Sequence, residues 1–428
     1  MATMRALVAD AVGEPADVLR IRELPLPLPG PGQVRVRVTA APVHASDLHI
    51  MRGRYGLRPQ FPTVLGLECV GTVDLVGDGV DSVRTGDRVV TVGVTGTWQE
   101  FLVADADRVL PVPEAMSTST ACQLIANPLT AWVLVSSELG LGADEWLLQT
   151  AAGSTVGQLV IQLSRHLGFR TLNVVRRRAA VAEIRALGGT EVVCTEGGDL
   201  AGQLAAMTAG NPITKAIDCV SGQVGADVSA ALAPGGQLVV YGALSTHGQT
   251  DPGALTIPLF ARSVICETKT VRGFWLYHWF ANTPPARIRD TLADVISLVD
   301  KGAMTVPEGR PFPLDQAAPA TEAAEAPAHS TEERGSGWWI IQSAARRPDA
   351  ASRRCRRRGY NNGIGDSEED RALRDDTGSP LARHRSTRHS LLHLLAVRRR
   401  LWYEQRMAGD VLLVRRRHVD NGLVCTCA

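Results

Sequence analysis

Three consecutive guanidinium groups at the end of an apolar run make an anion site, and Asn173-Val-Val-Arg176-Arg-Arg178 has that form. The segment lies roughly 20 residues after Ala151-Ala-Gly-Ser-Thr-Val-Gly157, the distance at which a nucleotide-binding turn is followed by the tip of the next strand. A strand-to-helix turn aims backbone N–H groups and the positive helix end at a phosphate. Gly153 lets the backbone come close, Ser154 and Thr155 add hydroxyl donors ahead of Val156, and Gly157 permits the helix to pack tightly on the strand. The spacing is G-xxx-G, shorter than G-x-G-x-x-G, so an ordinary turn is the alternative reading. An acid for a free ribose 2′-hydroxyl is missing from the second strand tip, where Arg176, Arg177 and Arg178 stand instead. Planar guanidiniums grip a dianionic 2′-phosphate in pairs of hydrogen bonds, so these residues favour NADPH over its unphosphorylated counterpart. A solvated basic turn is the competing reading.

Two further segments carry chemistry. Tyr55, in Arg54-Tyr-Gly56, is a phenol with a reference pKa of about 10; it stays protonated at neutral pH and can donate to a developing oxyanion. Taken by itself, a Tyr between Arg and Gly is more often a surface or packing residue. Phe274-Trp-Leu-Tyr-His-Trp-Phe280 has the size and apolarity to hold an acyl chain or a flat ring, and also reads as core or dimer interface.

The surrounding elements must hold these groups together. From Met4 to Val109 the chain alternates short strands and turns: Gln33 to Thr39 switches apolar and polar residues in turn, and Glu68 to Val76 and Arg88 to Val94 read as further strands. After that the rhythm changes. Trp146 to Thr150 is a buried-strand run, and Val156, Leu159, Val160, Leu163 and Leu167 recur at helical spacing up to Gly168. Strand and helix then alternate through Thr171 to Val175, Ala180 to Leu187, Val192 to Cys194, Ala216 to Val220 and Leu238 to Tyr241. The class predicted is α/β: a doubly wound parallel sheet of Rossmann type beside a β-rich domain. The expected boundaries are 1–122 for the β-rich catalytic domain, 123–267 for the nucleotide-binding domain, and 268–342 for a return to the first.

The chain has 428 residues, 45% of them apolar, and a net charge of +1 that conceals an asymmetry. Residues 343–428 hold 19 Arg, no Lys and 10 acids, whereas the first 342 carry 26 basic residues against 34 acidic ones. The basic stretch shows no sustained periodicity and is expected to be disordered, or the product of a shifted reading frame. Neither a secretory leader nor an apolar run of about 18 residues is present, which excludes a membrane-spanning helix and predicts a cytoplasmic protein. Eight scattered cysteines, with only Cys425 and Cys427 close together, match neither a zinc ribbon nor a disulfide scaffold.

Asn127-Pro-Leu-Thr-Ala131, the Gly153 to Gly157 turn, Asn173 to Arg178 and Gly273-Phe-Trp-Leu276 occur in the order found in mitochondrial-type 2-enoyl thioester reductases, which the chain resembles over about residues 4–342. These belong, with quinone oxidoreductases, to the zinc-independent part of the medium-chain dehydrogenase/reductase superfamily, whose catalytic domain is GroES-like. The resemblance implies that Tyr55 is the catalytic acid or enolate stabiliser and that Asn127 meets the nicotinamide end of the cofactor. It also implies that Gly153, Ser154, Thr155 and Val156 bind the pyrophosphate, and that Arg176, Arg177 and Arg178 bind the 2′-phosphate. Tyr241, Gly242, Ala243 and Leu244, with Phe274, Trp275, Leu276 and Tyr277, are implied to line the nicotinamide and acyl pocket, in a protein that is usually a homodimer.

The family's last cofactor contact is a Lys near the end of the final strand. Here Gly335 to Ile340 contains none, which puts that contact and the strand itself in question. Zinc-dependent relatives use Cys with Gly-His-Glu and a lobe of four cysteines. This chain has His44-Ala-Ser-Asp47 and Gly66-Leu-Glu68, so no metal is expected, and His44 and Glu68 are read as structural.

The reading is an NADPH-dependent enoyl thioester reductase. One alternative is a quinone reductase with the same cofactor, and another is a non-catalytic NADPH-binding regulator whose basic stretch meets acidic partners; nucleic acid is disfavoured because the stretch lacks interleaved aromatics.

Overall fold

The computed structural model describes residues 2–246, 256–325 and 339–342. The α/β class is as expected, with a parallel sheet and a β-rich part. The basic stretch 343–428 lies outside the described residues.

Six parallel strands run in the order Glu191–Cys194, Arg170–Val175, Trp146–Gln149, Lys215–Asp218, Gln237–Val240 and Thr270–Gly273. The chain enters at the third position, winds outward to one edge, then returns and winds to the other. The crevice therefore opens beyond the carboxyl ends of Trp146–Gln149 and Lys215–Asp218, where neighbouring connections leave in opposite directions. Helices Thr155–Leu167, Ala179–Leu187, Leu200–Thr208 and Gly222–Ala231 form the crossovers. The first buries Val156, Leu159, Val160 and Leu163 along one stripe, as its periodicity predicts, and Gly168 ends it at φ 83°.

The β-rich part is built on Gln33–Pro42, which pairs with Val70–Val76 on one side; Phe101–Asp105 and Trp339–Gln342 share the other. Arg88–Thr91 and Val109–Pro111 extend the sheet. A smaller sheet of Leu19–Pro25, Thr3–Ala9 and Thr63–Val64 packs beside it. Its core holds Val34, Val36, Val38, Met51 and Trp98, all buried, together with Tyr55 at its margin.

The doubt over the closing strand is corrected. Trp339–Gln342 is a strand, parallel to Arg310–Pro313 and antiparallel to the Ala40 to Pro42 end of the central strand. Its ladders are made by backbone groups on both sides, so the missing Lys does not prevent it. The strand expected from Glu68 begins only at Val70, and that expected to reach Val94 ends at Thr91.

Candidate active site

A cavity of about 1340 Å³ lies between the β-rich part and the carboxyl end of the parallel sheet. It is larger than the usual small-molecule pocket of about 300–1,000 Å³, and so has room for a dinucleotide and a second ligand together. Tyr55, Asn127, Ser154, Thr155, Val156, Tyr241, Gly242, Ala243, Leu244, Phe274, Trp275, Leu276 and Tyr277 all line it, though they come from five separate stretches of chain. Gly153 and the three arginines are outside the lining. Arg176, Arg177 and Arg178 are exposed just past the tip of Arg170–Val175, and the Arg178 N–H donates to Glu196 at 2.8 Å.

The turn into the Thr155 helix suits a pyrophosphate. Ser154 caps the helix, its hydroxyl accepting the Gly157 N–H at 3.2 Å, and the backbone at Gly153 faces open space. Gly157 is forced by packing: a Cβ there would stand 2.7 Å from both the Cα and the carbonyl oxygen of Ala152. Helix and strand thus approach as closely as a nucleotide fold requires. Close to this turn the Tyr241 hydroxyl is buried beside Cys219 and Ser154 and makes no hydrogen bond of ordinary geometry, a donor that a bound polar group would satisfy. The residues present fit a dinucleotide.

The loop after Lys215–Asp218 is held by a buried carboxylate. Asp218 accepts from the Thr150 hydroxyl at 2.6 Å, from the Val220 N–H at 2.9 Å and from the Ser221 N–H at 3.0 Å. These bonds keep Ser221, a cavity residue, at φ 65° and ψ −161°, a conformation that disfavours side chains. Ser221 in turn donates to the Gly242 carbonyl at 3.1 Å, tying the loop to the next cavity segment.

Opposite stands Tyr55, half-buried, whose hydroxyl accepts the Trp275 indole N–H at 3.0 Å. Burial raises the phenol above its ordinary pKa, the indole bond opposes that, and the nearby Asp47 adds to it; the group is a neutral donor at physiological pH. Burial likewise raises Tyr277, again with Asp47 contributing. Trp275, Tyr277 and Phe280 follow one another edge to face or tilted and make an aromatic wall.

The sequence reading passed over several wall residues, Ser46 and His49, Arg52, Arg54 and Arg58, Thr130 and Ser221, and took His44, which also lines the cavity, as structural. Arg52, Arg54 and Arg58 sit within seven residues with no acid between them, a signal visible beside Tyr55 and left unused. Among the described residues no Asp or Glu lines the cavity. His44 meets the buried Glu68 behind it, His44 Nε2 to Glu68 Oε1 at 2.5 Å.

Comparison with known proteins agrees with this architecture. Residues 30–114 match the family model of the alcohol dehydrogenase GroES-like domain, and residues 155–299 that of the zinc-binding dehydrogenases. The chain is 31% identical over 330 residues to the mitochondrial enoyl-[acyl-carrier-protein] reductase of Rattus norvegicus, covering 76% of this chain and 86% of the relative. The human protein of that name is 31% identical over 338 residues, covering 78% and 88%. Among solved structures, a putative NADPH:quinone reductase from Bacillus thuringiensis superposes with a TM-score of 0.73 at 29% identity, covering 80% of this chain and 100% of that one. A mutant enoyl thioester reductase from Candida tropicalis gives a TM-score of 0.68 at 20% identity over 80% and 100%, a likeness of fold.

Proposed function

Because the chain belongs to the medium-chain dehydrogenase/reductase superfamily, in the group of the enoyl thioester and quinone reductases, we propose that this oxidoreductase uses NADPH to reduce the C=C bond of a 2-enoyl thioester. The observation that carries the proposal is the meeting of Tyr55 and Asn127 in one cavity, with the helix-capping turn at Ser154 along the same wall.

Bound along that wall, NADPH would supply the hydride for the β-carbon. The turn from Gly153 to Val156 holds the pyrophosphate by backbone N–H groups at the positive helix end. Arg176, Arg177 and Arg178 take the 2′-phosphate at the neighbouring strand tip, where the Glu196 carboxylate holds the Arg178 backbone N–H and leaves the guanidiniums to the ligand. Asn127 presents its side-chain amide to the nicotinamide end, and the buried Tyr241 hydroxyl gains the partner it lacks.

Negative charge then grows on the thioester oxygen. Tyr55 meets it there: its oxygen already accepts from Trp275, so its own proton points elsewhere and is available to the substrate. The same proton can pass to the α-carbon. Trp275, Tyr277 and Phe280 flank the acyl chain and keep water from it.

Arg54 and Arg58 on the wall support a ligand bearing phosphate, as a coenzyme A or acyl-carrier thioester does; Arg52 is held by Glu14 and Glu325. The quinone reading keeps one observation in its favour, the aromatic wall of Trp275, Tyr277 and Phe280, whose faces and edges suit a flat ring. Following nicotinamide absorbance with crotonyl-CoA and with a quinone separates the two: the thioester proposal requires faster turnover of crotonyl-CoA, and turnover of the quinone alone would sink it.

A further inference from the structure

Glu68 is 1% exposed, and its carboxylate contacts lead to two different parts of the cavity wall. Oε2 accepts the Ile125 backbone N–H at 2.7 Å; Oε1 accepts the Ala126 N–H at 3.0 Å and faces His44 Nε2 at 2.5 Å. The direction of the last bond is set by the other ring nitrogen. The imidazole accepts the Asp47 N–H in a capping box, so Nε2 carries the proton and donates to Glu68.

The two ends of this bridge are chemically distinct. His44 caps helix Ala45–Met51, whose exit turn, fixed by Arg54 N–H donating to the His49 carbonyl at 2.8 Å, delivers Tyr55. Ile125 and Ala126 open the helical turn Ile125–Leu129, whose third residue is Asn127. Glu68 itself cannot drift. Gly66 is held at φ 99°, where a Cβ would lie 2.3 Å from Thr97 Oγ1, and that hydroxyl donates to the Glu68 carbonyl at 2.9 Å.

We propose that Glu68 is a positioning residue which, through His44 on one side and the Ile125 and Ala126 amides on the other, ties the Tyr55 arm to the Asn127 turn so that acid and cofactor are held in one alignment. The proposal rests on the reading of Tyr55 as the acid and Asn127 as a cofactor contact. Its physical basis is the fixed direction of the donors. A backbone N–H cannot be reversed, so Glu68→Gln turns its new NH2 group toward a donor in either orientation: toward Ile125 in one, toward Ala126 and His44 in the other.

The test is a double-mutant cycle between Asn127→Ala and Tyr55→Phe in the full-length chain, run in the native and the Glu68→Gln backgrounds, with crotonyl-CoA turnover as readout. In the native background the two effects on kcat are expected to be coupled by about five- to tenfold, as for groups acting as one unit; with Gln at position 68 they should multiply to within about twofold. Glu68→Gln alone should lower kcat by about tenfold with near-ultraviolet circular dichroism unchanged. If that variant does not fold, His44→Leu removes the imidazole donor together with its helix-capping acceptor, leaves the Ile125 and Ala126 bonds to Glu68 in place, and should weaken the same coupling. Coupling that persists at native strength in a folded variant overturns the proposal. Native rates for both Asn127→Ala and Tyr55→Phe in the native background would instead overturn the functional reading, and the clamp with it.

Discussion

The Trp275 indole N–H donates to the Tyr55 hydroxyl oxygen at 3.0 Å, and the two rings stand nearly perpendicular with centroids 6.0 Å apart. A phenol that already accepts one bond has its own proton left for a second partner. The pair therefore aims an acid, where a lone Tyr would be free to rotate.

Removing the acid should be felt in turnover and hardly in binding. Tyr55→Phe is expected to lower kcat for crotonyl-CoA by about 100-fold, the lower end of the range for a positioned proton donor, with NADPH affinity unchanged in a fluorescence titration. Unaltered kcat would remove Tyr55 from the chemistry.

Taking away only the aiming bond should cost less. Trp275→Phe keeps an aromatic face but no N–H, and kcat is expected to fall by about three- to tenfold, the worth of a single hydrogen bond. Stopped-flow single turnovers check this, since a defect confined to product release would leave the hydride-transfer phase untouched.

The strand-tip arginines should decide between the two nicotinamide coenzymes. Replacing Arg176, Arg177 and Arg178 together by Ala is expected to weaken NADPH binding by at least about tenfold, from the loss of charge-assisted bonds of about 1.5–3 kcal/mol each, and to leave NADH binding nearly as before. Calorimetric titration of both coenzymes gives the ratio; an unchanged ratio would assign the 2′-phosphate to another place.

Asp47 makes stability depend on pH. It is fully buried, and burial raises its carboxyl from 3.8 to about 7, against the opposing pull of His44. Between these values the folded chain holds a proton that the unfolded chain has released, so stability should fall as pH rises from about 4 to about 7, by at most about 1.4 kcal/mol per pH unit. Asp47→Asn keeps an acceptor for the His44 N–H and lacks the ionisation. Urea denaturation at several pH values is expected to show a flatter profile for this variant; parallel profiles would mean that Asp47 is not the group responsible.

Much of this was legible in the residues. The helix from Thr155 announced itself by apolar spacing and Gly168, and the parallel sheet by regular alternation, because each of those signals is local. Asn127, Tyr55 and the Phe274 to Tyr277 segment were found through resemblance, since spacing alone does not bring together residues as far apart as 55 and 275. What escaped was the contact network beneath the wall. Glu68 and His44 are 24 positions apart and were read as structural, yet nothing in either segment indicates that the carboxylate would reach the amides of Ile125 and Ala126, 57 and 58 positions away. Backbone donors leave no mark in composition. The closing strand was doubted because a side chain was missing, whereas backbone ladders made it.

That closing strand has a consequence for how the polypeptide matures. Trp339–Gln342 completes the ladder of Gln33–Pro42, a partner some 300 residues behind it in the order of synthesis. Translation exposes one end of the central strand early and supplies its mate late, while the winding of the parallel sheet is finished by Gly273. The nucleotide-binding half can therefore consolidate on the ribosome first, and the other half should acquire protease resistance only after residue 342 has emerged from the exit tunnel. Pulse proteolysis of stalled nascent chains would reveal the two stages as separate steps.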